Sequence, residues 1–136
     1  MSPPFFDTNV LVYAALQPDP RSDAARALLR GGGVVSVQVL NEFANVARRK
    51  LRRTWPEIHR ALAAVRALCP VPRPITAATH EAALALAERT GYAVYDALIL
   101  ASALEAGCDI VCSEDMQDGQ VIEGRLTIRN PFRQEV

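Results

Sequence analysis

Apolar residues recur along this chain in short blocks that switch between the two-residue period of strands and the 3.6-residue period of helices. Pro4 to Phe6 reads as a short strand ending at Asp7. From Thr8 to Leu16 the pattern is helical, and Pro18-Asp19-Pro20 stops it. A second helix is predicted from about Ser22 to Leu29, closed by Gly31-Gly32-Gly33. Val34-Val35 is a brief strand. Ser36 suits the N-cap of a helix from Val37 to about Arg52, whose apolar side carries Val37, Leu40, Ala44, Ala47 and Leu51. Trp55-Pro56-Glu57 opens a helix that ends near Cys69-Pro70, since proline is tolerated in a first turn. Val71 to Ile75 is extended. Thr76 caps an alanine-rich helix that stops at Gly91, and a further helix spans Asp96 to Ala106. Asp109 to Cys112 is a strand, Ser113 to Asp118 the loop after it, and Leu126 to Ile128 a last strand expected at the sheet's edge.

Strands alternating with helices predict the α/β class, here a three-layer α/β/α arrangement around a central, mainly parallel sheet of four to five short strands. With 136 residues, 50% of them hydrophobic, one domain spanning 1–136 is expected. Such a chain buries roughly two-thirds of its unfolded surface and needs no disulfide staple. Cys69, Cys108 and Cys112 show no zinc-ligand spacing and read as small buried apolar residues in a reducing compartment. No apolar run reaches the roughly 20 residues of a membrane span, and Met1-Ser2-Pro3-Pro4 lacks the basic start of a signal peptide. A cytoplasmic location without a membrane anchor is therefore expected.

A net charge of zero conceals an uneven distribution: Arg48, Arg49, Lys50, Arg52 and Arg53 crowd mid-chain, with Arg60, Arg66 and Arg73 after them. This basic stretch reads either as a surface that steers RNA phosphates, which guanidinium groups grip in pairs of hydrogen bonds, or as a solvated helix end. Aromatic residues are few (four Phe, three Tyr, one Trp), which limits base stacking.

Four acids, Asp7, Glu42, Asp96 and Asp115, each lie in or beside an apolar segment near a predicted strand end or helix start. A carboxylate in apolar surroundings is costly unless its charge is compensated. In a parallel sheet the ligand crevice lies beyond the carboxyl ends of the strands, so all four can meet at one edge. Each also has an ordinary reading: Asp7 and Asp96 as helix caps, Glu42 as a helix-surface residue, Asp115 as a loop acid. Taken together they point to a divalent cation. Carboxylates without His or Cys suit Mg2+ or Mn2+ and speak against zinc. His59 and His80 lie far from the acidic segments and read as helix-surface residues.

The order Phe6-Asp7-Thr8-Asn9, Asn41-Glu42-Phe43, Tyr95-Asp96-Ala97-Leu98-Ile99-Leu100-Ala101 and Cys112-Ser113-Glu114-Asp115 resembles the PIN-domain superfamily, in particular the VapC-type ribonuclease toxins of type II toxin–antitoxin systems. The likeness covers essentially the whole chain. The stretch from Asp118 to Gly124, with Asn130-Pro131-Phe132, resembles one branch of those toxins. The resemblance implies a Mg2+- or Mn2+-dependent endoribonuclease that leaves a 5′-phosphate and a 3′-hydroxyl. It implies Asp7, Asp96 and Asp115 as metal ligands, directly or through water. Glu42 would bind a second metal or orient the attacking water. Thr8, Asn9 and Ser113 would hold the carboxylates, with Asp118 as an outer contributor. It further implies an RNA substrate, a cognate antitoxin protein and a homodimer.

Other classes fit less well. A phosphate-accepting signalling domain would need an adjacent acidic pair after the first strand and a late lysine. A DxDxT-type phosphatase would need Asp where Asn9 stands. A catalytically silent PIN-like scaffold that binds RNA or protein has no use for negative charge concentrated near RNA.

Overall fold

The computed structural model describes residues 2–133. The elements run in the order β1 (Phe5–Phe6), α1 (Thr8–Ala15), α2 (Ser22–Arg30), α3 (Val37–Asn45), α4 (Trp55–Leu68), α5 (Ala77–Thr90), α6 (Val94–Glu105), β2 (Ile110–Cys112), β3 (Val121–Ile122) and β4 (Leu126–Arg129). The sheet order is β1-β2-β4-β3. β1, β2 and β4 run parallel to one another, and β3 pairs antiparallel with β4. Beyond β1, isolated parallel bridges join Phe5 to Val34 and Ser36 to Arg73, so two extended segments continue the sheet. The result is the three-layer α/β/α architecture with a short, mainly parallel sheet.

Side-chain caps set the starts of α3, α4 and α5. Ser36 accepts from the Val39 amide at 3.2 Å, and Thr54 and Thr76 each form a reciprocal capping box with the residue three positions on. Gly91 ends α5 in the left-handed region (φ 81°), which glycine adopts without penalty. Gly33 is demanded by packing: a Cβ there would lie 2.8 Å from the Pro4 carbonyl oxygen and strike the Phe6 ring. Phe5, Phe6, Phe43, Leu11 and Leu100 are fully buried at the centre, each contributing roughly 1.5–3 kcal/mol by leaving water. The three cysteines are free and buried, and burial pushes the Cys69 and Cys112 thiols up to about 11.

Three expectations are corrected. Leu126 to Ile128 is not the edge: β4 lies between β2 and β3, and the edge is the two-residue β3, which the sequence pattern did not announce. Only one of its two residues is buried, and the turn behind it uses Glu123 and Gly124 at positive φ (54° and 69°). The helix expected from Val37 to Arg52 stays α-helical only to Asn45, then widens into a π-turn over Val46–Lys50. Leu51 N donates to Val46 O, one residue further back than an α-helix would reach. Finally, α6 starts at Val94, so Asp96 sits inside its first turn and does not open it.

The chain leaves β1 toward Val34 and Arg73 on one side, then crosses to β2 on the other. In a parallel sheet such a reversal places the expected ligand site at the carboxyl ends of the two strands that flank it, here β1 and β2.

Candidate active site

Asp7 follows β1 directly, and its amide donates to Cys112 O at 3.0 Å, which ties it to the end of β2. It is only 6% exposed. One carboxylate oxygen accepts from Thr8 N at 2.7 Å, so the residue does cap α1. The other accepts from Ser113 Oγ at 2.7 Å. Ser113 Oγ in turn accepts from the Asp115 amide at 3.2 Å, so one buried hydroxyl links the two acidic segments. Asn9, in the first turn of α1, donates its amide to Asp115 Oδ2 at 2.8 Å. Thr8 Oγ1 donates to Glu42 Oε2 at 2.7 Å, and Gln38 Nε2 to Glu42 Oε1 at 3.3 Å. Thus α1, α3 and the loop after β2 converge on one place.

The electrostatics record that convergence. Burial pushes Asp7 from 3.8 up to about 6 against its two hydrogen bonds, and the fields of Asp115 and Glu42 add to the rise. Asp96 is raised by burial first, then by Asp115 and Glu42, with no hydrogen bond opposing. Asp115 is raised by burial and by its neighbour Glu114. Asp115 and Glu42 thus act on both Asp7 and Asp96. Among the described residues, however, no three His, Cys, Asp or Glu side chains close into a ready-made metal cage. Like charges repel, and Asp7, Glu42 and Asp115 are each held by a hydroxyl or amide of the chain itself. The donor set is carboxylate, hydroxyl and amide oxygen, which fits a hard dication. His59 and His80 are exposed on α4 and α5.

The other sequence-predicted residues lie apart. Asp118 accepts from Asn130 N at 2.8 Å and from Arg133 at 3.0 Å, which lowers its pKa and turns it to the C-terminal segment. Arg53 spends its guanidinium inside the fold, on the Leu16 carbonyl and on Glu57 at 3.6 Å. Arg48 lies over the Trp55 ring at 4.8 Å and donates to Arg53 O. Arg49, Lys50 and Arg52 are exposed.

Sequence reasoning missed a second cluster beside Asp115. Glu114 accepts from the Tyr13 hydroxyl and pairs with Arg21 at 2.9 Å, while Arg21 also stacks over the Tyr13 ring at 4.1 Å. The Phe132 ring meets Tyr13 edge-on at 5.3 Å. A signal was present: Tyr13 stands one turn beyond Asn9 on α1, and Glu114 adjoins Asp115.

Comparison with known proteins adds the following. The model of the PIN domain matches residues 5–117. The solved structure of VapC20 from Mycobacterium tuberculosis, described as a sarcin–ricin loop cleaving toxin, is 24% identical. The match covers 79% of this chain and 85% of that one with a TM-score of 0.62. A toxin–antitoxin complex from Klebsiella pneumoniae is 19% identical, covers 96% and 99%, and has a TM-score of 0.73. At these identities the likeness is one of fold. No curated protein matches the chain.

Proposed function

The chain belongs to the PIN-domain family, and from that premise we propose that it is a single-domain endoribonuclease dependent on Mg2+ or Mn2+, the VapC-type toxin of a toxin–antitoxin pair. The observation that carries this reading is the field that Asp115 and Glu42 exert on both Asp7 and Asp96. Burial raises Asp7, Asp96 and Asp115, the charges of Asp115 and Glu42 add to the rise at Asp7 and Asp96, and the charge of Glu114 adds to the rise at Asp115. A surface evolved only to bind RNA gains nothing from such a cluster.

Asp7, Asp96 and Asp115 would hold the cation, with Glu42 holding a second or orienting water. When bound, a divalent ion supplies polarisation of the phosphate and a more acidic water. The chain's own part is positioning. Ser113 fixes Asp7 and the backbone of Asp115 together, Asn9 orients the Asp115 carboxylate, and Thr8 and Gln38 hold both oxygens of Glu42. Neither histidine is placed to act as base, so the proton of the attacking water passes to a carboxylate or to solvent. Water attacks phosphorus, the P–O3′ bond breaks, and the leaving O3′ takes a proton from solvent to become the 3′-hydroxyl, which leaves a 5′-phosphate on the other fragment.

The VapC20 description as a toxin that cleaves the sarcin–ricin loop supports RNA as the substrate class, and the Klebsiella complex supports an antitoxin partner. A homodimer and a cytoplasmic location belong to the same reading. No helix among the described residues is long and apolar enough to cross a membrane. Incubating the purified protein with RNA tests the proposal: cleavage in Mn2+ and none in EDTA is the expected result. The rival is a catalytically silent scaffold, favoured only by the open arrangement of the acids. It predicts RNA retention with no cleavage under either condition.

A further inference from the structure

A groove of about 340 Å³ adjoins the acids, lined by Gln38, Asn41, Glu42 and Asn45 of α3 and by Tyr95 of α6. The α3 positions follow the i, i+3/i+4, i+7 spacing of one helix face. Three of the five carry amides and none is cationic. Asn41 and Asn45 are exposed, and Tyr95 leaves 64% of its surface open. Two features join this groove to the acidic site. Glu42 belongs to both: Oε2 accepts from Thr8 and Oε1 from Gln38. Tyr95 directly precedes Asp96 in the first turn of α6.

We propose that this groove is a nucleobase subsite, which takes one unpaired base flanking the scissile phosphate, stacks it on Tyr95 and reads its edge with Asn41 and Asn45. The inference rests on the nuclease reading above and names what that site selects. An amide presents a donor and an acceptor side by side, the pattern that pairs with the N6/N7 edge of adenine. Unpaired bases in RNA are recognised by such edge contacts together with aromatic stacking. The Glu42 wall repels a second phosphate, so the base and not the backbone enters. The volume lies at the lower end of the range for ligand pockets, roughly 300–1,000 Å³.

The test compares the wild type with Tyr95→Ala, Tyr95→Phe and the double variant Asn41→Ala/Asn45→Ala, all shown to be folded by circular dichroism. Each cuts a randomised single-stranded RNA pool in Mn2+, and the new 5′ ends are sequenced. The wild type should show one enriched base beside the cut, and the double variant should lose that preference. Tyr95→Ala should lower kcat/KM on the preferred oligonucleotide roughly five- to hundredfold, mainly through KM, with Tyr95→Phe close to wild type. Efficient cutting with an unchanged base preference in the variants would overturn the inference and leave the groove to a protein segment. A wild type that cuts no RNA would instead bring down the nuclease reading itself, and this inference with it.

Discussion

Replacing Asp7 by asparagine separates what this residue costs the fold from what it gives the chemistry. The side chain is 6% exposed, and burial raises its pKa from 3.8 to about 6. A carboxyl whose folded pKa is raised favours the native state only while protonated. Its contribution is therefore fully present below 3.8 and is lost as the pH rises through about 6. At ~1.36 kcal/mol per pH unit between those two values, the ionised group costs the metal-free fold about 3 kcal/mol at pH 7. Asparagine keeps the shape and the contact with Thr8 N, but it must rearrange around the Ser113 hydroxyl, a loss of about 1 kcal/mol. Asp7→Asn should thus stabilise the metal-free protein by about 2 kcal/mol at pH 7.5, a rise in Tm of about 5–10 °C. The gain should shrink as the pH falls from 6 and reverse slightly below 3.8, where both side chains are neutral. Thermal melts followed by circular dichroism in EDTA across that range supply the readout, with RNA cleavage in Mn2+ measured in parallel and expected to vanish. A variant equally destabilised at every pH, or one that still cuts, would refute the reasoning.

Asp96→Asn and Asp115→Asn should each lower cleavage by at least about a hundredfold while the melting curve keeps its cooperativity, and wild-type rates in both would remove them from the machinery. Mn2+ at a hundred times its Kd should stabilise the wild type by about 2.7 kcal/mol in thermal melts; a Tm indifferent to metal would contradict the site. Arg49→Ala and Arg52→Ala together should flatten the salt dependence of RNA binding by a slope of about 1.4, at ~0.7 for each phosphate contact on a single strand. Arg53→Ala should act instead through stability, because its guanidinium ties the end of α1 to α4, and an unchanged Tm would refute that structural role.

The sequence made the caps and the acids legible because both are local signals. Ser36 and Thr76 announce helix starts through contacts three residues away, Pro56 marks the first turn of α4, and Asp7 and Ser113 follow directly on strand residues. What stayed hidden has no local signature. A π-turn preserves a helical apolar pattern, so Val46–Lys50 reads as more α-helix. β3 is two residues long and shows no alternation to detect. The Tyr13–Glu114 contact spans 101 positions, and the engagement of Asp118 with Asn130 and Arg133 depends on how the chain returns after β4. The acids' partnership with Thr8, Asn9 and Ser113 was implied by family resemblance, but their open arrangement is a property of the fold alone.

Anomalous diffraction from a crystal grown in Mn2+ tests the proposed metal site without relying on activity. The account predicts a manganese peak within bonding distance of carboxylate oxygens of Asp7, Asp96 and Asp115, with Asp115 drawn away from Asn9. Manganese bound elsewhere, or these carboxylates still held only by Thr8, Asn9 and Ser113 at saturating metal, would contradict it.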